Sequence, residues 1–199
     1  DPTTNDGRYP PTAEIVSWTD AQNAYTRQVL DNLPGRQRLE DRLRPLMEVG
    51  SVSLPRMKGS RYFYSKREGT QNQPLIYYRE GANGDPRLLI DPATIHPSGL
   101  VTVAWYAPSD DGKLLAYGTY RAGDENATLK VMEVDSRKIL PFEVPGKVSS
   151  CDWMPDNSGF LYRNLRDVNN PYSGQVMFRD LRSDAPDRLV FRQYTKEED

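Results

Sequence analysis

Few residues in this chain are placed to do covalent chemistry. Its single histidine, His96, lies in Ile95-His96-Pro97-Ser98-Gly99. A general-base reading would set it beside Ser98, but a Pro-Gly loop supplies no evident carboxylate to orient the ring, so His96 is expected as an exposed loop residue. The single cysteine, Cys151, is expected on a strand beside Asp152. A reactive thiolate needs a helix N-terminus or a cation next to it, and a small packed strand residue is the better expectation. A strand-elbow-helix hydrolase needs Gly-x-Ser-x-Gly, because its strained turn must lift the hydroxyl clear of neighbouring side chains. No such pentapeptide occurs. The acidic runs Asp110-Asp111-Gly112 and Asp156-Asn157-Ser158-Gly159 lack the alternating Asp-x-Asp-x-Asp-Gly spacing that wraps calcium, and they read as hairpin turns. No Gly-rich loop joins a strand to a helix as a phosphate cradle does. The sequence therefore leads us to expect no catalytic, cofactor-binding or metal-ligating residue. Asn126-Ala127-Thr128 is formally a glycosylation acceptor, meaningful only in a secretory compartment, and is read as a turn between strands.

The elements that carry these residues fall into two kinds. From Thr12 to Leu33, apolar residues at Ile15, Trp18, Ala21, Tyr25, Val29 and Leu33 step by three or four and gather on one side of a helix. Thr12 suits an N-cap, and Pro34-Gly35 a stop. A second helix is expected from Arg36 to about Glu48, with Leu39, Leu43, Leu46 and Met47 on one face and Pro45 kinking or shortening it. Both stripes read as packing faces. After Gly50 the pattern changes to short β runs, and a four-strand unit recurs three times. Its first strands are Ser51 to Leu54, Val101 to Trp105 and Ser149 to Trp153; its second are Arg61 to Tyr64, Leu114 to Tyr117 and Gly159 to Tyr162. Its third strands are Pro74 to Tyr78, Leu129 to Val134 and Gln175 to Phe178; its fourth are Arg87 to Ile90, Arg137 to Leu140 and Arg188 to Phe191. A four-stranded antiparallel unit recurring at about 40–50 residues is the sequence form of a β-propeller blade. The expected fold is thus mainly β: three blades, at about 51–98, 99–146 and 147–194, preceded by a helical arm over 1–50. Propellers close with about four to eight blades, so this is an incomplete ring that associates with further blades or belongs to a longer chain.

Composition bounds the partners. Among 199 residues, 26 are basic and 28 acidic, for a formal net charge of -2. Such a balance holds no electrostatic excess for a polyanion, and nucleic acid is not an expected partner. The longest uncharged stretch, Pro92 to Ser109, is broken by Pro97, Gly99 and Pro108, so no membrane-spanning segment is expected. One cysteine excludes an internal disulfide framework and a multi-cysteine zinc site. The chain starts at Asp1 rather than Met, as a processed or cut chain would, and a soluble protein of cytoplasm or periplasm is expected. The polar end Lys196-Glu197-Glu198-Asp199 reads as a frayed terminus or a severed linker.

Several segments together resemble one family. Arg61-Tyr62-Phe63-Tyr64 followed by Gln71-Asn72-Gln73-Pro74-Leu75-Ile76-Tyr77 is similar to the start of the propeller in prolyl oligopeptidases. Upstream, Ala21-Gln22-Asn23-Ala24 resembles that family's Ala-Gln-Asn helix. Downstream, Leu89-Ile90-Asp91-Pro92, the run from Ser109 to Gly118, and Trp153 with Gly159 resemble its Leu-Leu-Asp-Pro, Ser-x-Asp-Gly-x-x-x-Ala-Tyr-Gly and Trp-x-x-Asp-Gly-x-Gly-x-x-Tyr. The resemblance runs in unbroken order over nearly everything beyond Trp18. Two departures stand out: no Asp-Pro-Tyr-x-Trp-Leu-Glu-Asp opening precedes Trp18, and Asp124-Glu125-Asn126 replaces the Ser-Asp-Trp of many members.

The resemblance implies a two-domain serine peptidase cleaving short peptides after proline. An α/β-hydrolase domain carries the triad, the N-terminal helices pack on that domain, and a seven-bladed propeller limits which peptides reach the serine. It implies no cofactor, and that this stretch alone lacks the triad and is inactive. One substrate-side position is implied: Leu161 would line the peptide pocket remote from the scissile bond, where many members carry an aromatic residue, against the plainer reading of a core leucine. The alternatives are a non-catalytic propeller that binds a partner protein, and a neighbouring peptidase class that cleaves after basic residues.

Overall fold

Thr12 closes the first helix at its N-terminus, its hydroxyl accepting from the amide of Ile15 at 3.3 Å. The computed structural model describes residues 12–121 and 123–192; the Lys196 to Asp199 tail lies outside them. The chain divides into two units, Asp1–Val49 and Gly50–Asp199. In the first, α1 (Ala13–Asp31) and α2 (Arg36–Met47) flank a turn in which Gly35 has φ 85°, a conformation that costs glycine little. Pro45 neither breaks nor shortens α2. It sits in the last turn, where the Glu48 amide still reaches the Arg44 carbonyl at 3.0 Å. The expected apolar stripe is formed and lies exposed, with Trp18 at 65%.

The second unit is three antiparallel sheets. Blade 1 comprises β1 (Ser51–Val52), β2 (Arg56–Lys58), β3 (Arg61–Arg67), β4 (Leu75–Glu80) and β5 (Arg87–Ile90). A single 3-10 turn, Pro92–Thr94, leads to blade 2: β6 (Val101–Pro108), β7 (Leu114–Arg121), β8 (Thr128–Glu133) and β9 (Ile139–Val144). Blade 3 is β10 (Ser150–Trp153), β11 (Gly159–Leu165), β12 (Gly174–Asp180) and β13 (Arg188–Arg192). Two of the expected strands are corrected. The first is not continuous over Ser51 to Leu54: β1 and β2 both pair with β3, separated by Leu54, which is 90% exposed, and by Pro55, which has no N–H for the ladder. The fourth strand of blade 2 does not begin at Arg137, which adopts φ 58° in a turn. It runs instead from Ile139 through Pro141 to Val144, tolerated because β9 is an edge strand.

Strand register sorts the side chains of each blade to two faces. Facing blade 2 from blade 1 are Phe63, Ile76, Tyr78 and Ile90, packed with Leu115, Tyr117, Met132 and Val134. Facing blade 3 from blade 2 are Ala116, Leu129, Val131 and Val144, packed with Cys151, Phe160 and Tyr162. The middle sheet is therefore apolar on both faces: Leu115 and Tyr117 point one way, Ala116 the other, and all are buried. Sheets covered on both sides read as continuous apolar runs, as Leu114 to Tyr117 does.

A bulge in β6, where the register shifts between Val103 and Trp105, re-aims that strand. Before it, Val103 packs against the blade 1 cluster; after it, Trp105 and Ala107 pack against the blade 3 cluster. An extra residue in one strand inverts the alternation. Trp105 then lies flat on Gly118, its register partner: a Cβ at Gly118 would come 2.4 Å from Trp105 Nε1. Gly118→Ala is expected to destabilise the chain by about 2 kcal/mol, the scale of overpacking a well-filled core, read as a lowered denaturant midpoint with unchanged m-value.

Candidate functional site

No constellation of reacting groups is assembled among the described residues; the built features are the junctions between blades. In the junction of blades 2 and 3, two indoles work in opposite directions. Trp105 Nε1 donates to the Val148 carbonyl at 2.8 Å, and Trp153 Nε1 donates to the Ala107 carbonyl at 2.9 Å. Trp153 also meets Phe160 edge to face at 5.3 Å. Beside them Asp187 is held by the Tyr162 hydroxyl and the Arg179 guanidinium, and Arg179 lies over the Phe142 ring at 4.5 Å. These residues tie β13's entrance to blade 2 through a nearly buried carboxylate.

The junction of blades 1 and 2 uses cations. Arg56 donates to the Tyr106 carbonyl at 2.9 Å and lies over the Tyr106 ring. Arg61, 14% exposed, reaches Glu80 and Asp135 at 2.6 Å each and the Gly112 carbonyl at 3.0 Å. Burial works against its charge, but these carboxylates outweigh it and hold its pKa above the ordinary value. At the same end the hairpin tips interlock. A Cβ on Gly59 would meet the Asp111 carbonyl at 2.7 Å, and one on Gly112 the Lys58 carbonyl at 2.6 Å. Lys58 pairs with Asp110, and the Asp110 amide donates to Asn157 Oδ1 at 3.1 Å. At the other end the Gln71-Asn72-Gln73 loop spans the junction, Gln73 Nε2 donating to the Val101 carbonyl at 2.9 Å. A shallow cleft there is lined by Asn72, Asp91, Pro92 and Gly99.

This arrangement has counterparts. The family model described as "Prolyl oligopeptidase, N-terminal beta-propeller domain" matches residues 5–198. The chain belongs to this family. Among curated relatives, prolyl oligopeptidase A of Galerina marginata is 29% identical over 182 residues, which are 79% of this chain and 24% of that protein. Prolyl endopeptidase of Elizabethkingia meningoseptica is 25% identical over 165 residues, 82% of this chain and 23% of that protein. A solved structure from a structural and mechanistic study of two prolyl endopeptidases superposes with TM-score 0.82 at 29% identity, covering 92% of this chain and 28% of that one. Prolyl oligopeptidase B of Galerina marginata, bound to a 35mer hydrolysis and macrocyclization substrate, shares the fold with TM-score 0.77 at 21% identity, over 94% of this chain and 29% of that one. The chain thus spans about a quarter of the length of the relatives it matches.

Within this propeller domain the residues singled out from sequence are engaged as follows. His96 Nδ1 lies 3.0 Å from Ser98 Oγ and accepts from the Ser98 amide at 3.1 Å, closing a turn. In Asp111 the carboxylate accepts from Ser109 Oγ and the Lys113 amide; in Asp156 it accepts from the Ser158 amide and hydroxyl. Both acidic runs are hairpin turns, and among the described residues no group of three or more His, Cys, Asp and Glu is gathered to hold a metal. Asn126 donates its amide to Asp124 in the β7–β8 turn. Leu161 stands mid-β11 opposite Asp152 and Phe178, on the face turned away from blade 2. Its position in the repeat is that of Phe63 and Ala116. The sequence placed Trp105, Trp153 and Arg61 on strands but not in the junctions between blades, and it did not single out Asp187. Trp105 and Trp153 were detectable as one repeat position; the other two depend on a distant partner.

Burial pushes the Cys151 thiol well above its ordinary pKa, with Asp152 adding to the effect. Burial likewise pushes Tyr117 up to about 12, and Tyr162 is raised by burial and then by its bond to Asp187. In each case the folded state holds the proton more tightly than the unfolded chain. Stability is accordingly complete below the unfolded thiol pKa of about 8.5 and falls as pH rises through it, falling further above about 10 as unfolded tyrosines ionise. Denaturant titrations from pH 7 to 11 should show this decline, with Cys151→Ala delaying its onset. At pH 8.5, iodoacetamide should modify the thiol in urea and leave it intact in the native chain. Asp187→Asn, which leaves Arg179 with no carboxylate, is expected to cost about 2–3 kcal/mol by chemical denaturation.

Proposed function

We propose that this chain is the first part of the propeller of a serine peptidase that cleaves short peptides after proline, and that its blades act by exclusion rather than chemistry. The observation that carries the reading is the family membership over residues 5–198, joined to junctions closed by packing and by bonds between side chains and carbonyls. Blades latched in this way make a wall that a short peptide must go around and a folded protein cannot pass. An α/β-hydrolase domain elsewhere in the longer protein would supply serine, aspartate and histidine, and the apolar stripe of α1 and α2 would pack on it.

The resemblance gives Leu161 a peptide-facing role, whereas its repeat position, shared with the buried Phe63 and Ala116, supports packing against a following blade. We favour the packing role.

The test uses the longer protein encoded with this sequence. It should carry Gly-Gly-Ser-x-Gly-Gly and hydrolyse a short chromogenic peptide after proline while sparing a folded protein, and the 199-residue chain alone should hydrolyse neither. A reading frame that ends without a nucleophile motif, or a full-length protein that binds proteins and cleaves nothing, would replace the peptidase with a binding module. In the longer protein, Leu161→Ala should lower the melting temperature and leave KM unchanged. A raised KM at unchanged stability would restore the peptide-facing role.

A further inference from the structure

The β4–β5 turn, Gly81-Ala82-Asn83-Gly84-Asp85-Pro86, carries a chemistry that neither the junctions nor the proposed function uses. Asparagine is a thermolabile side chain, and the residue after it sets how labile it is. The next backbone nitrogen can attack the side-chain carboxamide, and only glycine, with no Cβ, leaves that nitrogen unshielded. Of the ten asparagines, only Asn83 precedes a glycine. Asn83 is exposed, and neither its carboxamide nor the Gly84 amide has a hydrogen-bond partner among the described residues. The comparable pairs elsewhere are tied down. In Asn157-Ser158, Asn157 Oδ1 accepts from the Asp110 amide at 3.1 Å and the Ser158 amide donates to Asp156 Oδ1 at 3.1 Å. In Asp111-Gly112, the Gly112 amide donates to the Ser109 carbonyl at 2.9 Å, and the Asp111 carboxylate accepts from the Ser109 hydroxyl and the Lys113 amide.

We propose that Asn83 is a self-modification site in the folded protein, deamidating to isoaspartate and aspartate and thereby slackening the latch between blades 1 and 2. The Gly84 nitrogen forms a bond to Asn83 Cγ, the bond from Cγ to the side-chain nitrogen breaks, and that nitrogen leaves as ammonia with the proton from the Gly84 amide. Water then opens either carbonyl of the resulting succinimide. One water is consumed and one ammonia released, and position 83 becomes aspartate or isoaspartate. The isoaspartyl product threads the backbone through the side-chain methylene, adding one atom to the turn. The turn has no slack for it: a Cβ at Gly84 would come 2.1 Å from the Glu80 carbonyl oxygen, so the backbone is already folded closely onto itself. The same contact keeps a shielding side chain out of position 84. Glu80 ends β4, and its carboxylate holds Arg61 at 2.6 Å and accepts from Ser60 Oγ at 3.0 Å. Arg61 in turn reaches Asp135 and the Gly112 carbonyl in blade 2. A lengthened turn displaces Glu80 and loosens this connection at its blade 1 side. None of this depends on the peptidase reading.

The longer protein encoded with this sequence, incubated in mildly alkaline buffer at body temperature, should convert Asn83 at least tenfold faster than Asn157. Trypsin releases Glu80 to Arg87 as one peptide, which should gain one mass unit and split into two chromatographic species, the more abundant a substrate for an isoaspartyl-directed methyltransferase. Conversion in the native protein should stay within a few-fold of that in urea, since the folded turn withholds neither reacting group. Backbone amide exchange across residues 80–87 and at the Arg61 end of β3 should be several-fold faster in the aged protein. Asn83→Gln, whose extra methylene disfavours ring closure, should age without either change. An Asn83 that converts in urea but not in the native protein, conversion no faster than at Asn157, or an Asn83→Gln variant that ages alike would overturn the modification. A converted turn with unchanged exchange would overturn its effect on the latch.

Discussion

A blade of this kind is a sheet with two apolar faces, and no sheet with two apolar faces is stable in water alone. The rest of the structure answers to that requirement. Fully burying a large apolar side chain contributes about 1.5–3 kcal/mol, and each junction buries eight or so of them. Blade 2, flanked on both sides, meets the condition within the chain: Leu115, Ala116, Leu129 and Val131 are all wholly inaccessible. Among the described residues, blades 1 and 3 each have a neighbouring blade packed on one side. The domain is in this sense a sector whose stability grows by adding neighbours, as in other repeat architectures.

Polar groups then decide how the sheets meet. The inner strand β6 carries the bulge that aims Trp105 at blade 3, and its carbonyls receive Arg56 from one side and Trp153 from the other. A buried carbonyl left without a donor would cost about 1–3 kcal/mol, so these bonds hold blades at one separation and one angle. The contrast between the junctions follows from what surrounds them. Near the outer hairpin tips, Arg61 can gather two carboxylates that stay partly in water; between blades 2 and 3, indoles bring a single donor on an apolar body and need no counter-charge.

Such a construction suits a part that encloses rather than reacts. The groups with chemical potential are spent on structure: His96 and Ser98 close a turn, the carboxylates of Asp111 and Asp156 cap hairpins, and the Cys151 thiol is held protonated in the interface. The chain belongs to the prolyl oligopeptidase N-terminal propeller family, and the contribution proposed for it is shape and closure, not nucleophiles.

Much of this was legible from the chain. The 3.6-residue stripe from Ile15 to Leu33, the capping Thr12 and the threefold recurrence of four strands are local patterns, set by backbone periods that any window of sequence displays. The Gln-Asn-Gln loop and the tyrosine-closed second strands carried the family in the same way. What local pattern could not display was anything decided by a partner on another strand. Pro55 and Pro141 both lie on edge strands; the first separates β1 from β2 along β3, and the second sits inside β9 where its pairing with β8 shifts register. The β6 bulge and the contacts of Asp187 with Tyr162 and Arg179 exist only once strands within a blade are paired, and the crossed indoles only once the sheets are stacked. Periodicity tells which side of a strand is apolar, but which sheet lies against that side is a property of the stacking, and it alone settles the direction of each contact.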